Sequence, residues 1–108
     1  MTAAGAGATD DLAVVHDEAE DRYELWKGEQ LVGVADYVQR GDVLVVHHTG
    51  VDPAHRGQGY ATHLVEGMFD DVRSHGLRVD PRCWFVAAHV SAHPEVADLV
   101  VDGSSGGL

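Results

Sequence analysis

Apolar residues alternate with polar ones at short range through the first half of the chain and recur at helical spacing through the second. Leu12 to His16 is a short apolar run that predicts a first strand. Tyr23, Leu25 and Trp26 mark a second, and Lys27-Gly28-Glu29-Gln30 a tight hairpin with glycine in its turn. Leu31 to Val38 predicts a third strand with Leu31, Gly33, Ala35 and Tyr37 on one face. Gln39-Arg40-Gly41-Asp42 then turns the chain into Val43–Val46, an apolar, largely β-branched run suited to a buried fourth strand. Strands linked by hairpins in this order make an antiparallel meander.

The period changes after Asp52-Pro53, a dipeptide that breaks the strand. Ala61, Leu64, Val65, Met68 and Val72 follow the i, i+3, i+4, i+7 rule of one helix face. They predict a long helix from about Gln58 to Gly76, with Arg73 and His75 in its last turn. Leu77 to Val79 predicts a brief fifth strand beside the fourth, ended by Pro81. Val86, Ala87 and Val90 give a short second helix over Cys83–Ser91, which stops near His93 because a residue before proline avoids α geometry. Pro94 is suited to open a further helical turn, Glu95–Val101. The fold class is α+β: a mostly antiparallel sheet of about five strands, one long helix and one or two short ones. Residues 1–10, rich in Ala, Gly and Thr, read as a flexible leader, 11–102 as a single domain, and 103–108 as a disordered tail.

Composition narrows the function classes. At 108 residues the chain is one domain with a modest core. A net charge of −11 would repel nucleic acid and attract a cationic amine, and it also serves plain solubility. The single cysteine rules out an internal disulfide and fits a reducing compartment. No apolar run approaches the roughly 20 residues of a membrane span, and the first residues lack a basic-then-apolar signal pattern. A cytoplasmic protein with no membrane partner is expected, its oligomeric state open. The eight histidines are scattered without cysteine pairs, and His89 and His93, at i, i+4, are cut off by Pro94, so no metal site is expected.

The junction of fourth strand and long helix carries the candidate chemistry. Arg56-Gly57-Gln58-Gly59 precedes a first turn of Tyr60, Ala61 and Thr62, flanked by His55 and His63. The opening amides of a helix lack internal partners and sit at the positive end of its dipole. Glycines there let the backbone close round a phosphate. No Asp or Glu occurs between Asp52 and Glu66, although helix starts favour carboxylates and the chain is rich in them. The vacancy implies an anion supplied from outside; an ordinary strand–turn–helix connection remains the plain alternative.

Arg56-Gly57-Gln58-Gly59-Tyr60-Ala61 resembles the Arg/Gln-x-x-Gly-x-Gly/Ala pyrophosphate loop of the GNAT N-acetyltransferase superfamily. With His48-Thr49-Gly50-Val51, Pro81-Arg82-Cys83-Trp84-Phe85-Val86 and His93-Pro94-Glu95, it resembles a compact single-domain branch of that superfamily over roughly residues 20–101. The resemblance implies splayed fourth and fifth strands with the pantetheine arm of acetyl-CoA, or coenzyme A, between them. It implies cofactor contacts from Thr49, Gly50, Val51, Arg56, Gly57, Gln58, Gly59, Tyr60, Ala61, Phe85 and His89, and acyl transfer to a small-molecule or peptide amine acceptor. A non-catalytic coenzyme A-binding or sensing module is the alternative. For the amine's proton His48 and His47 are the candidates, since imidazole titrates near neutral pH; they alternate on the strand, and His48 belongs to the resembling string. Cys83 at the start of the second helix is a candidate catalytic thiol, its pKa lowered by the dipole and Arg82, or else a small buried apolar residue. One departure stands out: the helix after the fifth strand offers Phe85 and His89 but no tyrosine, the usual acid of that superfamily.

Overall fold

The structure is a computed structural model that describes residues 12–101; the expected leader and tail lie outside the described residues. Five strands form one sheet in the order β1-β2-β3-β4-β5: β1 Leu12–Asp17, β2 Arg22–Lys27, β3 Gln30–Arg40, β4 Val43–Val51 and β5 Arg78–Pro81. The first four are antiparallel neighbours, and β5 joins β4 in parallel. The parallel pair needs a crossover, which is α1, Tyr60–Ser74. The second helix, α2, runs Trp84–Ala92 and stops at His93 as proline requires. The α+β sheet-and-helix architecture expected from the pattern is the one observed.

The core lies between the sheet and α1. Leu64, Val65, Met68, Phe69 and Val72 of α1 are buried against Tyr23, Leu25, Ala35, Tyr37, Leu44 and Val46. Gly67 faces β1, where an added Cβ would stand 2.5 Å from Val14 Cγ2, so only glycine lets the strand come this close. Phe69 of α1 stacks on His89 of α2, which sets the two helices side by side. The other face of the sheet is open, with Val15 and Val38 exposed. β4 is therefore buried on one side only: Leu44 and Val46 are inaccessible, Val43 and Val45 half-buried. Among the described residues, no helix is long and apolar enough to cross a membrane.

Two bulges correct the expected registers. The β2–β3 register shifts at Leu25/Trp26, so that Leu25 pairs with Gly33 and Trp26 with Leu31. The unpaired Val32 is buried, and Leu31 leaves the face it was expected to share with Gly33, Ala35 and Tyr37. The β3–β4 register shifts at Asp36/Tyr37: Asp36 pairs with His48 and Tyr37 with Val46, leaving His47 as the extra residue. The predicted turn Glu95–Val101 is also corrected. Pro94–Leu99 is a 3-10 helix, after which Val100 bridges Val79 and the Val101 N–H donates to the Val79 carbonyl at 2.8 Å. Two β-branched residues beside the free edge of β5 pair with it rather than prolong a helix.

Candidate functional site at the mouth of α1

Beyond Val46 the sheet divides. β4 pairs with β5 only over Val43–Val46. The Arg82 and Cys83 N–H groups then both donate to the Val46 carbonyl, at 3.0 and 2.9 Å, where the chain turns from β5 towards α2. Residues 47–51 of β4 run on with β3 on one side and, among the described residues, no strand on the other. This is the divergence expected of the fourth and fifth strands.

The connection from β4 to α1 uses its own polar groups locally. The Asp52 carboxylate accepts from the Ala54 N–H at 2.9 Å and caps a 3-10 turn, Pro53–His55, so it does not reach the mouth of α1. Gly57 and Gly59 follow with φ of +83° and +76°, the left-handed region in which a side chain is strained. Gly59 is the N-cap of α1; it offers no side-chain bond, and the first turn holds no acidic residue. Among the described residues, the opening amides of α1 thus have no side-chain cap. A cavity of about 240 Å³ lies in front of them, lined by Val51, Arg56, Gly57, Gly59 and Thr62, with Phe85 of α2 closing the far side. Tyr60 and Ala61 also border it; Gln58 is exposed outside it. Tyr60 stacks on His55 at 5.9 Å, and the Lys27 ammonium stands 6.0 Å from its ring. Lys27 is a second cation at this mouth that sequence reading missed, because only the folded sheet brings the end of β2 to the start of α1.

Cys83 is the N-cap of α2, and its Sγ lies 3.0 Å from Thr49 Oγ1 across the divergence. Burial pushes the thiol up, yet its pKa is lowered overall, because the Thr49 hydroxyl and the backbone N–H groups of Phe85, Val86 and Thr49 favour the thiolate. Arg82, its neighbour in the chain, is not among these causes, and its guanidinium is paired with Asp80 at 3.0 Å. Thr49 and Cys83 meet on the helix-covered side of β4, while His48 lies on the open side, its Nδ1 3.1 Å from Asp36 Oδ2. His47, displaced at the bulge, is exposed and has no side-chain hydrogen bond among the described residues. His89 stands apart from the loop cavity. It is 7% exposed, stacked between Phe69 and His93, and its pKa is lowered by burial and by His93. Among the described residues, no group of three or more His, Cys, Asp or Glu is arranged to hold a metal ion.

The geometry has counterparts among known proteins. Residues 22–99 match the family model described as GCN5-related N-acetyl-transferase. Protein NATD1 of Mus musculus is 33% identical over 86 residues, covering 77% of each chain. Protein NATD1 of Homo sapiens is likewise 33% identical over 86 residues, covering 77% of this chain and 75% of its own. The crystal structure of the ribosomal-protein-S18-alanine N-acetyltransferase from Escherichia coli shares the fold, with a TM-score of 0.53 at 19% identity; the match covers 70% of this chain and half of that one. An uncapped helix mouth beside diverging strands, together with a family match over most of the folded residues, places this chain in the GCN5-related N-acetyltransferase family.

Proposed function

We propose that this protein is an acyl-CoA-dependent N-acetyltransferase that moves an acetyl group from acetyl-CoA to an amine. The observation that carries the proposal is the start of α1: amides with no internal cap, two left-handed glycines before them, and the open end of β4 beside them. The residues present fit the cofactor. A diphosphate satisfies the orphan amides of α1, with Arg56 and Lys27 adding charge. The unpaired edge of residues 47–51 offers backbone groups to an extended pantetheine arm in the manner of an added strand.

Acetyl-CoA supplies the activated thioester. The chain's own residues must then do three things: stabilise negative charge on the acyl oxygen, take a proton from the amine and give one to the departing thiolate. A backbone N–H beyond Thr49 on the edge that β5 has left, in Gly50–Val51, serves the first, since the Thr49 N–H is turned to Cys83. His48 accepts the amine's proton on the open side of β4. Cys83, a stronger acid than an ordinary thiol, lies on the other side and donates to the thiolate. Phe85, on the cavity wall, excludes water from the thioester. Acceptors are therefore expected to approach across the open face of the sheet.

Calorimetric titration of the protein with acetyl-CoA tests the cofactor, and free-thiol release across small amines and peptides with free α-amines tests transfer. Binding with acceptor-dependent thiol release is the expected result. No heat from a folded sample overturns the cofactor assignment. Heat without thiol release for any acceptor leaves a coenzyme A-binding module and rejects catalysis.

A further inference from the structure

We propose that Asp36 is a positioning residue that holds the His48 imidazole with its proton on Nδ1, leaving Nε2 free to take the amine's proton. This rests on the acetyltransferase reading for its use in catalysis, though not for the contact itself. Three independent features of the fold converge on it. The bulge at His47 places His48 directly opposite Asp36 in the β3–β4 register; without the extra residue, the alternation of the strand would put His48 on the other face. The Asp36 carboxylate then accepts from His48 Nδ1 at 3.1 Å, and a ring nitrogen that donates to a carboxylate fixes the tautomer. Finally, Gly50, two residues on and on the same face, leaves the space into which the ring leans. An added Cβ at Gly50 would stand 3.2 Å from His48 Cε1 and 3.5 Å from Nε2. The free nitrogen therefore stands beside Gly50, in the stretch of β4 that β5 no longer pairs.

A surface pair of this kind contributes little to stability, since His48 is 60% and Asp36 33% exposed at the side chain. A bulge that re-aims a side chain is instead a device found beside active sites. The arrangement resembles in principle any imidazole base oriented by a carboxylate: the carboxylate takes no proton but sets which nitrogen is basic. Asp36 touches neither cofactor nor acceptor in this scheme, and acts only through His48.

The experiment reads the tautomer and the kinetics of the same protein samples. In the wild type, nitrogen-15 NMR of the full chain, with the His48 resonances assigned by comparison with His48→Gln, is expected to show the neutral ring protonated on Nδ1. Asp36→Ala should return it to the Nε2–H form that an unconstrained neutral imidazole prefers. The same variant should lower kcat by roughly 10–100-fold, the scale on which loss of the carboxylate partner of a metal-bound histidine costs activity. The KM for acetyl-CoA and its calorimetric affinity should be unchanged. Asp36→Glu, which keeps the carboxylate, should restore the Nδ1–H form and part of the rate. A wild-type ring protonated on Nε2, or an Asp36→Ala protein with wild-type tautomer and kcat, overturns the proposal. A wild type that binds no acetyl-CoA overturns the acetyltransferase reading separately, and the tautomer measurement, which needs no cofactor, still decides the assignment.

Discussion

Burial and hydrogen bonding act in opposite directions on Cys83, and hydrogen bonding wins. A thiol half-shielded from water should hold its proton more tightly, yet the Thr49 hydroxyl and the amides at the start of α2 bring its pKa below the ordinary thiol value. The consequence is measurable without any cofactor, because the chain has one cysteine and whole-protein mass reports its alkylation alone. The pH at which alkylation by iodoacetamide is half-maximal should lie below that of a free thiol. Thr49→Val removes the hydroxyl while keeping the shape, and should move the midpoint upward. A wild-type midpoint at or above that of free cysteine would refute the account and leave Cys83 as a packing residue. The sequence pointed to this thiol through the start of α2 and through Arg82, whose guanidinium pairs with Asp80 in the structure. Thr49, which joins the α2 amides in favouring the thiolate, is 34 residues away.

At the scale of the element, the start of α1 is built against local preference. A helix that opens on an uncapped glycine, with Tyr60, Ala61 and Thr62 in its first turn, forgoes both side-chain capping and the stabilisation that a carboxylate would give at that end. Restoring what the helix lacks should therefore damage function while improving fold. Thr62 is the third residue after the Gly59 cap, where Glu is favoured. Thr62→Glu is expected to leave thermal stability unchanged or raise it by about 0.3–1 kcal/mol, and to weaken acetyl-CoA binding by placing a negative charge where the proposed diphosphate would rest. Unchanged affinity measured by calorimetry would show that the anion does not bind at this mouth. The variant separates binding from folding better than a change at Gly59, where the positive φ makes any side chain strained. This element was legible in the sequence because its signals are local: two glycines at fixed spacing, and carboxylates missing from a chain otherwise full of them.

For the whole molecule, legibility follows sequence separation. The periods of the strands and of α1 gave the α+β architecture, since each period is a property of a short window. The bulges at Val32 and His47 were not legible, because a bulge is decided by competition between two strands over which face each residue takes. That is why the expected face of β3 included Leu31, and why alternation alone could not choose between His47 and His48. A network at the far end of α1 was hidden for the same reason. Tyr23 of β2 donates to Asp71 at 2.7 Å, His16 of β1 stands 3.1 Å from the same oxygen, and its other ring nitrogen meets Tyr37 of β3 at 2.7 Å. Three strands are thus tied to one helical carboxylate. Burial and the Asp71 bond push the Tyr23 hydroxyl well above its usual pKa, and burial pushes Tyr37 up to about 12, so both remain protonated donors. Asp71→Ala would leave the Tyr23 hydroxyl buried without its acceptor, a loss of about 1–3 kcal/mol of unfolding free energy. Adding Tyr23→Phe to that variant should recover much of the loss, since removing both partners of a buried bond costs far less than removing one. Asp71 lies roughly 16 Å along α1 from Tyr60, at 1.5 Å per residue, so acetyl-CoA affinity should be unaffected in both. Denaturant unfolding of the two proteins settles the matter: equal losses in the single and double variants would show that the hydroxyl finds water, and that this network does not hold the sheet to the helix.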